Sequence, residues 1–176
     1  MTTISPLLLA QSNLWLSEVS AFFVDSERED VNDLQRDGAT AVVDLAAEFA
    51  SGNHGRNRAL VAQVLGRLSD IQVRDFALGV HDDQSLDTYW AMWRYLIRIA
   101  PVGYVAPVAT LVAAIAYEKG EKAIADQALT RAFEDDPRYS LATLLRRVFA
   151  ANWPKEAFAS MRVELHPKVC QGIFLS

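Results

Sequence analysis

Three histidines and one cysteine hold most of the ligating and nucleophilic chemistry open to this chain: His54, His81, His166 and Cys170. They stand far apart, with neither an H-x-x-x-H nor a C-x-x-C spacing, so the sequence provides no zinc framework. His81, Asp82 and Asp83 could offer mixed ligands to a cation. They come just before Ser85, however, where acids ahead of a helix start are common, and a solvated loop is the simpler reading. Cys170 follows His166 by four residues; a nucleophile would need that pair held rigidly and oriented by an acid, and none is near. The reading is an ordinary thiol, with no metal, no cofactor and no catalytic residue assigned.

Three further groups carry charge or aromatic surface. Gly52, Gly55, Arg56 and Arg58 precede a helix start, an arrangement that favours anions. The 52–58 segment follows a helix, though, and matches neither dinucleotide nor P-loop spacing, so it reads as a helix connection. Asp30, Asp33 and Asp37 beside Arg28 and Arg36 form a solvated face rather than a buried acid–base pair. Arg138, Arg146 and Arg147 with Tyr139 could meet nucleic acid, but Asp135 and Asp136 adjoin them and the footprint is thin. Tyr89, Trp90, Trp93 and Tyr95 sit at helical spacing, which favours a core position. If exposed, they would form hot spots for a partner helix laid in a groove near Tyr117. Trp90, Trp93, Tyr117, Arg138, Arg146 and Arg147 are therefore the candidate partner-binding residues.

The elements that must position these residues are helical. The chain has 176 residues, 51% of them hydrophobic and 22% charged, which suits one globular domain spanning 1–176. Lys and Arg number 17 against 22 for Asp and Glu, a net charge of −5 that argues against a duplex-binding domain. Residues 1–88 carry net −8 and residues 89–176 net +3, a dipole that could orient a partner. The single cysteine excludes an internal disulfide and suits a reducing cytosol. The N-terminus lacks the basic start and long apolar stretch of a signal peptide. Ile99 to Tyr117 is uncharged and long enough to span a bilayer, but Pro101, Gly103 and Pro107 break it. A buried helix is expected there, in a cytoplasmic protein without a membrane segment.

Apolar spacing predicts a helix within Ser5–Phe23, with Trp15, Val19 and Phe22 on one face. A second starts at a capping box, Ser26 to Glu29, and ends near Gly52. Others run about 58–68, from a second box at Ser69 to Gln72 as far as Gly79, and from a Ser85 cap to Ala100. That last helix is apolar on two sides and is expected to be the central element. Helices at about 107–119, 121–134 and 140–151 follow, with a short one from Pro154. The tail 163–176 is expected to be an extended docked segment or mobile.

Ala113, Gly120, Ala125, Leu129, Ala132 and Pro137 resemble the pattern of one tetratricopeptide repeat, within a hairpin at 105–137. The aromatic of that pattern is displaced by one position, to Tyr117. A series of motifs reaches further: Val73 to Asp75, Trp93 to Pro101, Ala106 to Leu111, Lys119 to Leu129, and Asp135 to Ala142. Together, over 58–154, they resemble the C-terminal half of an actinobacterial family, domain of unknown function 4192. Members run about twice as long, so the resemblance implies a stand-alone short form from such a host or its phage or plasmid, and it implies no mechanism.

The expected fold is all-α, one domain of eight or nine helices with a tetratricopeptide-like hairpin. The expected function is non-enzymatic binding of a protein partner, or self-association. One alternative is an enzyme or small-ligand binder using the 52–58 loop and the 81–83 cluster. Another is a nucleic-acid-associated phage or plasmid factor.

Overall fold

Helical periodicity becomes nine α-helices among the described residues, 4–28 and 30–175, of this computed structural model, with no strand among them. They are α1 (Pro6–Ser20), α2 (Asn32–Ala50), α3 (Arg58–Arg67), α4 (Ile71–Gly79), α5 (Leu86–Ile99), α6 (Val105–Glu118), α7 (Lys122–Asp135), α8 (Ser140–Ala150) and α9 (Lys155–Phe174). One continuous apolar cluster takes side chains from all nine.

The centre of that cluster is α6, not α5. Every residue from Val105 to Tyr117 is buried, and α5, α7, α8 and α9 all pack against it. Its composition explains this: no charge precedes Glu118, and its five alanines let neighbours approach from every side. α5 buries Tyr89, Met92, Trp93, Leu96 and Ile97 but leaves Asp87 and Arg94 in water, so its two apolar faces are unequal.

A helix buried all round needs its terminal N–H and C=O groups satisfied from outside. The Asp135 carboxylate, at the end of α7, accepts from the N–H groups of Gly103 (2.7 Å), Val105 (3.0 Å) and Ala106 (2.9 Å). At the other end Gly120, at φ +76°, makes the turn into α7, and the Glu121 N–H closes back onto the Ala116 carbonyl at 2.8 Å. Ala113 and Ala116 face Ala125, Ala128 and Ala132 across the hairpin, and all five are buried.

Several caps differ from expectation. The Ser26–Glu29 box does not start α2, which begins at Asn32; Glu29 itself lies outside the described residues. Ser26 instead accepts from the Ile71 N–H and donates to Asp70, both at 3.3 Å, so it helps to hold α4. The cap of α4 is Asp70, accepting from Val73 N–H at 3.1 Å, while the Ser69 hydroxyl ties down Val24. Ser85 makes no side-chain cap to α5; its hydroxyl donates to Asp82 at 2.9 Å.

The tail is helical: α9 runs through 163–174 despite Pro167. Proline costs the helix a backbone hydrogen bond. Docking offsets the cost, because Ile173 is fully buried, Phe174 and His166 pack on Phe76, and Arg36 of α2 reaches the Ile173 carbonyl.

Asp135→Ala should lower stability by about 2–3 kcal/mol, since three N–H groups lose a charged acceptor. Asp135→Asn, which keeps one acceptor oxygen, should lose about half as much. Urea midpoints of the two variants check this; equal losses would contradict it.

Candidate functional site

Two places stand out, one apolar and open, the other polar and buried. The open one is α1. Its C-terminal half is docked: Val19 is fully buried, Trp15 Nε1 donates to the Ile99 carbonyl at 2.7 Å, and Gly66 of α3 lies under the Val19 carbonyl. Its N-terminal half touches little. All residues from Ile4 to Leu14 are exposed, with Leu7 68%, Leu8 57%, Leu9 52% and Leu14 59% accessible, and no charge occurs from Ile4 to Ser17. Beside it lies a groove of about 720 Å³ between α1, α3 and α5, walled by Leu8, Leu14, Trp15, Arg58, Tyr95 and Ile99. Sequence reasoning placed the Trp15 face correctly but passed over these leucines. The signal was present: leucines at i, i+7 spacing on two sides of a helix whose third side already faces the body.

The buried place joins α4, α6 and α9. His81 Nε2 and Glu118 Oε2 are 2.9 Å apart, and Arg162 Nε donates to Glu118 Oε1 at 2.6 Å. Arg162 also donates to the carbonyls of His81 (3.0 Å) and Gly79 (3.3 Å). All three side chains are more than nine-tenths buried. Burial alone would push the Glu118 carboxyl up; hydrogen bonds from His81 and Arg162 and their charge outweigh it and hold the carboxyl below its ordinary value. The cleft at its mouth holds about 170 Å³, rimmed by Asp82, Asp83, Lys155 and Glu156.

The histidine–carboxylate geometry resembles a base and its orienter; Glu118 and Arg162 are committed to holding helices together, while His81 Nδ1 is buried without a partner. His166 and Cys170 do meet, with Sγ and Nε2 3.3 Å apart. Burial raises the thiol, outweighing a backbone hydrogen bond, and with the charges of Arg162 and His81 lowers the imidazole, so the pair is held toward its neutral form. No group of three or more metal-ligating side chains occurs among the described residues.

The 52–58 loop and the 81–83 cluster do not converge; they line separate clefts. Arg58 pairs with Glu18 at 2.7 Å and stacks on Trp15, Asn57 caps α3, and Gly55, at φ +79°, lies against the Tyr95 ring. Asp82 accepts from Gln84 and Ser85, while His81 turns inward.

Of the six partner-binding candidates, Trp93 is fully buried, and Tyr117 is buried against Phe149 and Phe158, its hydroxyl donating to the Trp153 carbonyl. Neither offers a surface to a partner. Trp90 is half-buried under Arg94 and Lys119. Arg138, Arg146 and Arg147 are exposed at and just before α8, and none of them lines the α1 groove; Arg146 lies over Phe133.

The family model described as Domain of unknown function (DUF4192) matches residues 15–156, from Trp15 in α1 to the first turn of α9. The match therefore begins well before residue 58, and the expected confinement to the family's C-terminal half does not fit this placement. No curated protein and no solved structure matches the chain. The motifs that carry the likeness meet in space: Arg74, bonded to Asp75, lies over Tyr139, and Asp135 caps the helix that holds Ala106 to Leu111. No helix among the described residues is long and apolar enough to cross a membrane.

Because the Glu118 carboxyl is depressed on folding, the stability it contributes is present above its ordinary pKa and is lost as pH falls through the folded value. Glu118→Gln should cost about 3 kcal/mol at neutral pH by leaving Arg162 buried without its anion. It should also flatten the loss of stability as pH falls below the ordinary carboxyl value of 4.5. Urea midpoints across that range test both statements; parallel pH profiles for wild type and variant would refute the second.

Proposed function

The chain belongs to the family of domain of unknown function DUF4192, and we propose that it works by binding another protein chain, without catalysing a reaction. The observation that carries this reading is the uncharged, leucine-bearing first half of α1 and the groove beside it. Contiguous apolar surface of this kind supports a docking role, since it is common at contacts with another chain. Trp15, Tyr95 and Arg58 in the groove wall are residue types that anchor interfaces. The docking surface is placed here rather than at Trp93 and Tyr117, which are core.

The enzyme or ligand-binding alternative draws no support from the separate clefts of the 52–58 loop and the 81–83 cluster. The α6–α7 hairpin is read as tetratricopeptide-like, contributing a scaffold rather than the docking face, and the actinobacterial host range rests on the motif series alone.

A photoactivatable residue at position Leu8 should give covalent protein adducts when irradiated in cells of the source organism, and one at Arg147 should give none. Adducts only from Arg147 would move the docking face to α8, and no adduct from either would overturn protein binding.

A further inference from the structure

We propose that the chain covering α1 is a second copy of this protein, paired α1 to α1 about a two-fold axis; this rests on the docking reading above and names its occupant. The argument begins with the cost of the bare state. A helical segment this short, with no buried side chain between Ile4 and Leu14 and no side-chain cap at Ser5, is marginal in water on its own. Burial against another chain supplies what propensity does not.

The pattern of α1 is self-complementary. Leu8, Trp15 and Val19 share the side facing the body, Leu7 and Leu14 lie to one flank, and Leu9 and Leu16 to the other. Leu7 and Leu14 are two turns apart with Ala10 between them. Antiparallel pairing about a two-fold near Ala10 sets Leu7 of each copy against Leu14 of the other, with the small alanine at the closest approach. Such an interface is isologous, so it closes at two copies.

Leu8 and Leu14 border the groove and, with Leu7, would be covered by this pairing, while Leu9 and Leu16 lie on the far flank outside it. The contact is therefore smaller than the ~800 Å² per partner of a standard interface, and the dimer expected is a weak, concentration-dependent one. Charge points to the same face. The first 88 residues carry net −8, which opposes association almost anywhere on that half. The stretch Ile4–Ser17 is the exception, having no charge to repel its copy. The same acidity weighs against a lipid surface, because α1 offers no Lys or Arg to headgroups and Glu18, Asp25 and Glu27 follow it.

Sedimentation equilibrium on the full chain, over a hundredfold concentration range, tests the proposal. The wild type should follow a monomer–dimer equilibrium. Leu7→Glu with Leu14→Glu should weaken it by at least about a hundredfold, since four carboxylates would enter the apolar interface. Both side chains are mostly exposed in one copy, so far-ultraviolet circular dichroism at low concentration should be unchanged and the urea midpoint nearly so. Arg146→Glu with Arg147→Glu should leave the dimer intact. A monomer at all concentrations, a dimer indifferent to the leucine pair, or an open-ended series of larger species would overturn the proposal. A monomer whose Leu8 adducts are to a different protein would overturn the second copy and leave the docking reading standing. Co-sedimentation of the monomer with neutral phosphatidylcholine vesicles, without adducts, would overturn both.

Discussion

Everything in this fold depends on burying α6 from every side. A fourteen-residue helix with no charge before its last position gains its stability from packing, and that leaves its ends as the expensive part. Unpaired backbone groups in a dry interior cost about 1–3 kcal/mol each. The chain meets the N-terminal cost with one carboxylate, Asp135, presented by the antiparallel partner helix α7. At the C-terminal end Glu118 is itself held by His81 and Arg162, so a residue from α6, the end of α4 and the middle of α9 are fastened together. Two charged clusters, one at each end of α6, thus tie it to three other elements, α4, α7 and α9.

This arrangement explains why the residues that look chemical in the sequence turn out to be structural. His81 draws attention by its acidic neighbours Asp82 and Asp83, yet its partner is Glu118, thirty-seven positions away. Nothing local in the sequence signals that pairing. Asp135, read only as an acid spoiling a basic patch, caps the central helix. Arg58 and Asn57 in the glycine-bearing loop are committed to Glu18 and to the start of α3. Each was assigned by residue type and spacing, and each was decided by tertiary partners that spacing does not contain.

The helices themselves were more legible, because apolar periodicity is a local property that packing then uses directly. Seven of the expected spans agree with the structure to within a few residues; α2 starts later, since the Ser26 box serves α4 instead. The ninth begins after Pro154 as expected, but its continuation through 163–174 was not foreseen, because there local and tertiary signals conflict. Pro167 marks a stop by local rules, while Ile173 and Phe174 find a site on α4 only once that helix is in place. The centre was misassigned for a related reason. The two aromatic faces of α5 outweigh the small residues of α6 by eye, but alanine is what permits close approach on all sides, and position in the core follows from that.

The α1 leucines invert this pattern. There the local signal was plain and the tertiary structure leaves it unanswered: a helix apolar on three sides is docked on one. Elsewhere the large apolar side chains of the helices gather into one buried cluster, so the surplus on α1 is not a general looseness of the fold. A chain that spends its charged residues on closing the core around α6, and keeps Ile4 to Ser17 free of charge, has an interior completed from within and an N-terminal face that its own helices leave uncovered.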